Sequence, residues 1–599
     1  MPSRNTPIKR LFRRIEEMIF LLKGLLEERH FIYFSAVAIA ISCALAVILL
    51  KNFAHYVFLL ANYINAYLKL PYINSLLPIA GILLTVFVIR TFLGGTIEKG
   101  SSRILFAVAR RGGIMPRKQM YAQIVTSSLT VGLGGSAGLE SPITITGAAF
   151  GSNFAQRYRL SQKDRILLLA CGVAAGIGAA FNAPIAGVLF AIEVVLTDVT
   201  ISAFVPIIIS AATGALVSDV LLEEGVLLSF GQQTDFNFSN VPYYVLLGVL
   251  AGLVSVYHAR QFRKVEHFFG RMKNKVYKRA LFGASLLAIL IFFFPTLFGE
   301  GYESIRLLAE QKPEQLLVNT IFEKVSSNQW VIIVFLGVTA LLKAFATGIT
   351  LGSGGNGGNF APSLFVGSYL GFLLAKVVNL LGIGNLPLSN FTLVGMAGIL
   401  SGLFHAPLTA IFLIGEITGG YNLMVPLMIV SSISFAVSRQ FETYSMDVTP
   451  LAAKGQVFTS DKDRNILSRI DLLALVDKNY QTLSADASMQ DVVTIFTEST
   501  QKAIAILERH QLRGVVYFDR VRQHIFNTYR VRFQPLSEAV SPPDHFIAVE
   551  EGVEKALHVF DRAGLDCLPV TSNEHYVGFI SKAAILESYR KCLREMVIE

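Results

Sequence analysis

Hydrophobic positions along the chain form long segments in which polar residues are rare. The first segment covers residues 31–50 and continues past Lys51 to residue 68, and the second covers residues 76–93. Both approach or exceed the roughly 20 residues that an α-helix needs to cross the apolar core of a bilayer. Further uninterrupted apolar segments are 243–256, 280–297 and 330–345. The pattern therefore predicts membrane-spanning helices.

Between these segments the apolar stretches are shorter and are interrupted by glycine, proline and asparagine. Unpaired backbone groups cost several kcal/mol each in lipid, so broken helices are tolerated only where they line a cavity. The sequence therefore predicts interrupted helices around an internal site. The interrupted stretches are 104–109, 143–150, 166–181, 185–196, 201–217, 360–377, 391–403, 408–417 and 423–437.

Two stretches in different halves of the chain repeat the same order of motifs. Residues 180–194 and 403–417 both place an Ala-Pro pair nine residues before a glutamate, which is Glu193 in the first copy and Glu416 in the second. Upstream of each copy lies a glycine-rich break that ends in proline, G-L-E-S-P and G-G-N-F-A-P. Matching broken helices in two halves are typical of transporters built from inverted repeats, whose substrate lies near the bilayer midplane.

Composition agrees with a protein that is mostly embedded in lipid. Of 599 residues, 53% are hydrophobic and only 16% are charged, whereas soluble domains carry about 25% charged residues. The net charge of +10 fits lysines and arginines on a cytoplasmic membrane face better than nucleic-acid binding. The four cysteines form no C-x-x-C motif, so neither a metal site nor a disulfide framework is expected.

The chain divides into four parts by composition. Residues 1–30 are a basic amphipathic segment, predicted to be a cytoplasmic helix, and residues 31–455 are the membrane part. Residues 456–467 are the expected linker, and residues 468–599 turn soluble in composition. The last part repeats a β-α-β-β order, which indicates a paired regulatory module. The predicted fold is mostly α, a polytopic bundle of tilted and broken helices in two inverted repeats, followed by a cytoplasmic α/β module.

Two glycine-rich breaks point to anion binding. Gly135–Gly138 and Gly352–Gly358 each precede a proline that suits the first turn of a helix. A helix N-terminus carries unpaired N–H groups and about half a positive charge, so it attracts anions. Two such termini at one midplane position would bind a small halide without an arginine fork.

Glu140 stands at the first of these predicted helix starts. Its carboxylate would compete with an anion for the same N–H groups when ionised and could move away when protonated. We therefore interpret it as a gate, because ionisable residues inside membranes are usually functional. The alternative is a glutamate that only caps the helix.

The order of G-L-E-S-P, A-F-N-A-P-I-A-G-V-L-F-A-I-E, G-S-G-G-N-G-G-N-F-A-P and F-H-A-P-L-T-A-I-F resembles the CLC family of chloride channels and chloride/proton exchangers. The resemblance covers roughly residues 31–455, and the tail resembles the paired CBS domains of that family. It implies a homodimer in the lipid bilayer, with one pathway per subunit for chloride or a similar anion and no cofactor. It also implies a multi-pass protein of the plasma or inner membrane with both termini in the cytoplasm.

The resemblance also assigns residues. It places the gate at Glu140 and implies anion ligation largely by backbone N–H groups. The anion-binding positions that follow are Lys99, Gly100, Gly138, Leu139, Glu140, Gly358, Asn359, Phe360 and Asp447.

Several positions depart from the family pattern. Leu139 replaces a basic residue, which should weaken anion capture. Spacing puts Lys99 where a serine ligand is expected, and this lysine either adds a charge to the site, by itself or paired with Glu140, or extends to cytoplasmic water. Asp447 stands at the position of the inner tyrosine, while Tyr444 is out of register. An aspartate would not replace the tyrosine hydroxyl as an anion ligand.

The position after Glu193 bears on the transport mode. Family exchangers typically have a second acidic residue there as a proton relay, and this chain has Val194, which carries no proton. We therefore expect a channel or an uncoupled carrier, with no proton relay at the usual position. A proton-coupled exchanger that uses another relay is the alternative. Glu193 is interpreted as structural because Glu416 occupies the equivalent place.

Other classes of function fit less well. An intramembrane enzyme would need a cluster such as H-E-x-x-H or paired aspartates, and the membrane part has neither; His405 is interpreted as a helix-end packing residue. The run G-S-G-G-N-G-G-N lacks the Lys-Ser/Thr ending of a phosphate-binding loop. In the tail, Ala584 stands where a ribose-binding aspartate is expected, which predicts weak or absent ATP binding.

Overall fold

The computed structural model divides the chain into two compact units, Met1–Val457 and Phe458–Glu599. The division falls inside the predicted linker, of which only residues 466–467 are described. The structure describes residues 7–68, 73–196, 201–222, 236–272, 275–318, 320, 322–325, 328–419, 421–454, 466–467, 470–509, 511–522, 528–533, 535–542, 545–572 and 575–597.

In its described residues, the first unit consists of helices joined by turns and loops. The helices are α1 Pro7–Leu25, α2 Glu28–Leu68, α3 Leu77–Thr91, α4 Ser102–Arg110, α5 Gln119–Gly132, α6 Glu140–Arg157, α7 Gln162–Phe181, α8 Pro184–Phe190, α9 Ile201–Leu222, α10 Val241–Gly270, α11 Val276–Phe293, α12 Tyr302–Ala309, α13 Gln329–Ser353, α14 Phe360–Leu380, α15 Leu388–Phe404, α16 Pro407–Ile417, α17 Met424–Phe441 and α18 Thr449–Ala452. A π-helical turn, Ala191–Val195, continues α8.

Within the described ranges, eight helical segments are long and apolar enough to cross a membrane. The predicted interruptions are partly wrong, because α7, α9, α14 and α17 are continuous helices of 20, 22, 21 and 18 residues. Their glycines and prolines do not break them; α9, for example, contains Pro206. The predicted second span is also corrected, since α3 has only 15 residues.

The two repeats have the same backbone geometry at their central turns. Asn182 ends α7 with φ 50°, and His405 ends α15 with φ 55°. The following alanines have φ/ψ of −129°/77° and −128°/70° and lead into α8 and α16. This agreement confirms the internal repeat predicted from the motifs.

The two repeats also cap each other. Glu416 accepts hydrogen bonds from the N–H groups of Ile185 (3.0 Å) and Ala186 (2.8 Å) at the start of α8. Glu193 accepts from the N–H group of Leu408 (3.2 Å) and from both the N–H group and the hydroxyl of Thr409 (2.8 Å each) at the start of α16. Exchange of equivalent contacts is what a two-fold relation between inverted repeats produces.

Glycines allow helices to cross at backbone contact. A Cβ atom on Gly147 of α6 would collide with the carbonyl of Gly172 in α7, and one on Gly371 of α14 would collide with the carbonyl of Phe391 in α15. Helices in lipid associate by such close packing of small residues rather than by hydrophobic burial. These crossings hold α6 against α7 and α14 against α15.

The second unit contains a six-stranded sheet in the order β1-β2-β3-β6-β5-β4. Each half has one parallel and one antiparallel strand pair, β1/β2 with β2/β3 and β4/β5 with β5/β6, which confirms the repeated β-α-β-β order. The strands are β1 Thr482–Ser484, β2 Ala503–Glu508, β3 Gln511–Tyr517, β4 Ile547–Ala548, β5 Cys567–Ser572 and β6 His575–Ser581. The helices are α19 Met489–Glu498, α20 Phe518–Val521, α21 Thr528–Phe533, α22 Gly552–Ala563 and α23 Lys582–Val597.

Candidate anion pathway

The glycine-rich loops that precede α6 and α14 are joined by a backbone bridge. The N–H group of Gly138 donates to the carbonyl of Gly358 (2.9 Å), and the N–H group of Gly358 donates to the carbonyl of Gly138 (2.8 Å). Because each glycine lies two residues before its helix, the bridge brings the two positive helix ends to one locus.

Crossed side-chain contacts hold the same two loops. The hydroxyl of Thr130 accepts from the N–H group of Asn356 (2.9 Å), and the hydroxyl of Thr350 accepts from the N–H group of Ser136 (3.1 Å). Thr130 lies in the last turn of α5, which leads into the loop before α6, and Thr350 lies in the last turn of α13, which leads into the loop before α14. Each threonine therefore bonds the loop of the other repeat. The site is therefore built jointly by the two halves of the membrane unit.

Glu140 is the first residue of α6 and only 4% exposed. Its Oε1 accepts a hydrogen bond from the hydroxyl of Tyr302 (2.6 Å), and its Oε2 accepts one from the N–H group of Ala361 (3.3 Å). Ala361 is the second residue of α14, so the carboxylate of one repeat lies at the helix N-terminus of the other.

Three predicted anion-binding positions use their N–H groups within the protein. Those of Gly138 and Gly358 form the backbone bridge, and that of Leu139 donates to Oε1 of Glu300 (3.0 Å). Their assignment as anion ligands stays a prediction, in which an anion would take the place of these protein acceptors. Asn359 and Phe360, at the cap and first position of α14, precede any intrahelical acceptor and stay predicted ligands.

Lys99 contacts the glycine loop that leads into α14, and its predicted contribution of a charge to the anion site stays a prediction. Its Nζ donates to the carbonyls of Gly354 (2.8 Å) and Gly355 (2.7 Å), at the C-terminal end of α13, where cations are favoured. Both of these acceptors belong to the loop, and neither belongs to Glu140. Lys99 thus secures the loop that leads into α14.

Ser101, two residues after Lys99, carries a hydroxyl group that lies close to the start of α6. Its Oγ lies 3.4 Å from Oγ of Ser141 in the first turn of α6, and its hydroxyl also bonds the side chain of Asp447. Gly100, with φ 76°, makes the left-handed turn that separates Lys99 from Ser101. Ser101 is therefore a hydroxyl-bearing residue near the start of α6 that the prediction at Lys99 did not include.

Asp447 lies beside Ser101, whose hydroxyl bonds its side chain. Its Oδ2 is buried and has no hydrogen-bond partner among the described residues. Tyr444 instead packs with Leu105, Val448 and Leu451, in agreement with its being out of register. Direct contact of Asp447 with an anion stays a prediction.

Aromatic and apolar side chains surround the start of α14. The ring of Phe360 lies 5.8 Å from that of Phe181, 6.1 Å from that of Phe190 and 5.7 Å from that of Phe404. Val194 packs against the main core of the unit. The low dielectric of such surroundings strengthens every charge interaction at the site.

The sequence reasoning missed Glu300 and Tyr302, which interact with Glu140, and Lys343, which interacts with Glu300. Glu300 and Tyr302 flank Gly301 just before and at the start of α12, and Lys343 is completely buried in α13. Nζ of Lys343 donates to the carbonyl of Gly299 (3.1 Å) and lies 4.7 Å from the centre of the Phe365 ring. Lys343 interrupts the apolar segment 330–345, and that lone charge was a signal available in the sequence.

The described residues contain no group of three or more His, Cys, Asp or Glu side chains that could hold a metal ion. A membrane fold of two inverted repeats, with two helix N-termini that meet at a buried glutamate, is typical of ion-transport proteins. Residues 80–439 match the model of the voltage gated chloride channel family, and residues 536–591 match that of the CBS domain. The chain belongs to the voltage gated chloride channel family.

Relatives and solved structures agree with this assignment. The chain is 30% identical over 318 residues to the voltage-gated ClC-type chloride channel ClcB of Escherichia coli, which covers 53% of this chain and 71% of that protein. It shares its fold with a slow cyanobacterial Cl⁻/H⁺ antiporter (TM-score 0.60, 21% identity, 73% and 100% coverage). It also shares its fold with a eukaryotic CLC transporter (TM-score 0.61, 18% identity), and the match covers 95% of this chain and 98% of that one.

Proposed function

We propose that the protein conducts chloride or a similar small anion and that Glu140 is its gate. The single observation that carries this proposal is the carboxylate of Glu140 on the N–H group of Ala361, at a helix N-terminus suited to an anion. In the ionised form the carboxylate excludes the anion by occupying this position. Protonation removes the charge and lets the anion replace it.

The proposed mode is a channel or an uncoupled carrier, with chloride moving down its gradient. Two substitutions support it. Val194 replaces the acidic relay, and Asp447 replaces the inner tyrosine, which suggests a looser inner constriction. The protein is proposed to act as a homodimer with both termini in the cytoplasm, as a transporter without catalytic activity or a cofactor.

Flux measurements on proteoliposomes test the mode directly. A chloride gradient is imposed at equal pH on both sides, with the voltage clamped by a potassium ionophore, and chloride and proton movements are recorded together. We expect chloride flux without stoichiometric proton counterflow. Sustained uphill proton transport would instead establish a proton-coupled exchanger.

A further inference from the structure

A second carboxylate, that of Glu300, lies at the start of α6. Its Oε1 accepts a hydrogen bond from the N–H group of Leu139 (3.0 Å), the residue directly before Glu140. Glu140 thus occupies an N–H group of α14, and Glu300 occupies one at the cap of α6. Both carboxylates hold backbone donors of the kind that the proposed function gives to chloride.

The short segment that carries Glu300 is fixed against the glycine loop before α6. The N–H group of Gly299 donates to the carbonyl of Gly134 (3.3 Å), and Lys343 donates to the carbonyl of Gly299. Gly299 and Gly301 adopt φ 64° and 95°, and a Cβ atom on Gly301 would lie 2.5 Å from the Phe365 ring. The backbone of this loop therefore holds Glu300 beside Leu139.

Several charged and titratable groups face Glu300 from the surrounding elements. Glu140 comes from α6, Lys51 from α2 and Lys343 from α13, and each interacts electrostatically with Glu300; Tyr302, which bonds Glu140, comes from α12. Ionisable residues inside a membrane fold are costly and are usually functional. Glu300 places a second carboxylate at the positive N-terminal end of α6, beside that of Glu140.

We propose that Glu300 is a second pathway carboxylate that competes with chloride for the N–H group of Leu139. This inference rests on the proposed function, because it assumes that chloride reaches the start of α6. Glu140 and Glu300 then close two adjacent anion positions, and neutralising Glu140 alone opens only the first. Chloride at the second position is repelled by the carboxylate of Glu300. The N–H group of Leu139 that would bind it is already hydrogen-bonded to that carboxylate.

Glu300→Gln separates this role from a structural one. The glutamine retains an oxygen that can accept from Leu139, so the cap survives, but the charge is lost. Chloride affinity is measured by calorimetry on purified full-length protein in chloride-free buffer, in the Glu140→Gln background, where the first carboxylate is already neutral. We expect Glu140→Gln/Glu300→Gln to bind chloride about tenfold more tightly than Glu140→Gln.

Glu303→Gln in the same background is the matched control. Glu303 lies three residues further on, is 67% exposed and pairs with Arg306, so chloride affinity should not change. Equal affinities in the Glu300 double variant and its parent would overturn the inference. Failure of Glu140→Gln to alter chloride transport would instead overturn the proposed function, so the two failures are distinguishable.

Glu300→Asp provides a second test if the glutamine variant does not yield monodisperse protein. The shorter side chain withdraws the carboxylate from Leu139 while keeping its charge within the protein. In the Glu140→Gln background we expect about threefold tighter chloride binding. Unchanged affinity would show that the Leu139 donor is not part of a chloride site.

Discussion

The hydroxyl of Tyr302 donates a 2.6 Å hydrogen bond to Oε1 of Glu140. Hydrogen bonds to an ionised acceptor at this distance are roughly twice as strong as neutral ones. Tyr302 is the first residue of α12, so the bond fastens the carboxylate of Glu140 to an element outside both glycine loops. It favours the ionised carboxylate in the position it occupies.

Tyr302→Phe should therefore open the pathway at neutral pH. Loss of a hydrogen bond to a charged group costs about 1.5–3 kcal/mol, which corresponds to at least about a tenfold shift away from the closed position. Chloride flux from proteoliposomes at pH 7.5 should rise accordingly. Tyr257→Phe removes a tyrosine hydroxyl that bonds the carbonyl of Leu341 instead, and flux in this control should stay at the wild-type level.

Glu140→Gln should give high chloride flux that is nearly independent of pH. The amide resembles the protonated carboxyl group and carries no charge to exclude an anion from the N–H group of Ala361. The measurement is chloride efflux between pH 4.5 and 7.5. A variant that keeps the pH response of the parent protein would show that Glu140 is not the gate.

Glu193→Gln and Glu416→Gln should destabilise the protein by similar amounts. In each variant one carboxylate oxygen becomes an NH₂ group that faces backbone donors of α16 or α8, so at least one capping bond is lost. Loss of a helix cap costs about 0.5–2 kcal/mol, and thermal unfolding in detergent should show it. We also expect no change in the ratio of chloride to proton movement, whereas a changed ratio in Glu193→Gln would identify that residue as a relay.

Lys99→Met should lower the thermal stability and the chloride affinity together. The substitution leaves two carbonyls of the loop before α14 without their donor, and such a loss costs about 1–3 kcal/mol for each buried group. Lys118→Met is the matched control, because Lys118 also donates to carbonyls, those of Leu93 and Thr96, away from this loop. If only stability falls, Lys99 does not shape the anion site.

The full-length protein should bind ATP weakly or not at all, and Ala584→Asp should restore binding. Ala584 lies in the first turn of α23, where its N–H group donates to Oγ of Ser581 (3.1 Å). An aspartate there would provide the acceptor that a ribose hydroxyl needs. Calorimetry with ATP should show at least about tenfold tighter binding for the variant, while micromolar affinity of the unaltered protein would contradict the prediction.

Local motifs predicted the fold and the position of Glu140 at a helix start, because proline, glycine and a lone glutamate define a helix start within a few residues. The predictions failed where a contact joins distant parts of the chain. Nothing near Gly138 in the sequence indicates that its N–H group pairs with Gly358, or that the N–H group of Leu139 pairs with Glu300. The bonds from Lys99 to the carbonyls of Gly354 and Gly355 were equally invisible in the sequence, because they join residues 255 and 256 positions apart.

Glycines in the membrane helices misled the prediction for a related reason. A glycine such as Gly371 lowers helix propensity in water, and the stretch 360–377 was therefore predicted to be interrupted. In lipid the same residue permits backbone contact with Phe391, and α14 is continuous. The sequence alone does not distinguish a glycine that breaks a helix from one that brings two helices together.

The bridge between Gly138 and Gly358 also constrains how the protein can be made. Translation proceeds at about 5–20 residues per second, so Gly358 leaves the ribosome roughly 10–45 s after Gly138. During that interval the start of α6 has already been synthesised, but its native acceptors in the second repeat do not yet exist. The first repeat is therefore synthesised before the loop that completes its half of the site, and the start of α6 acquires its native backbone partners only once the second repeat has followed it.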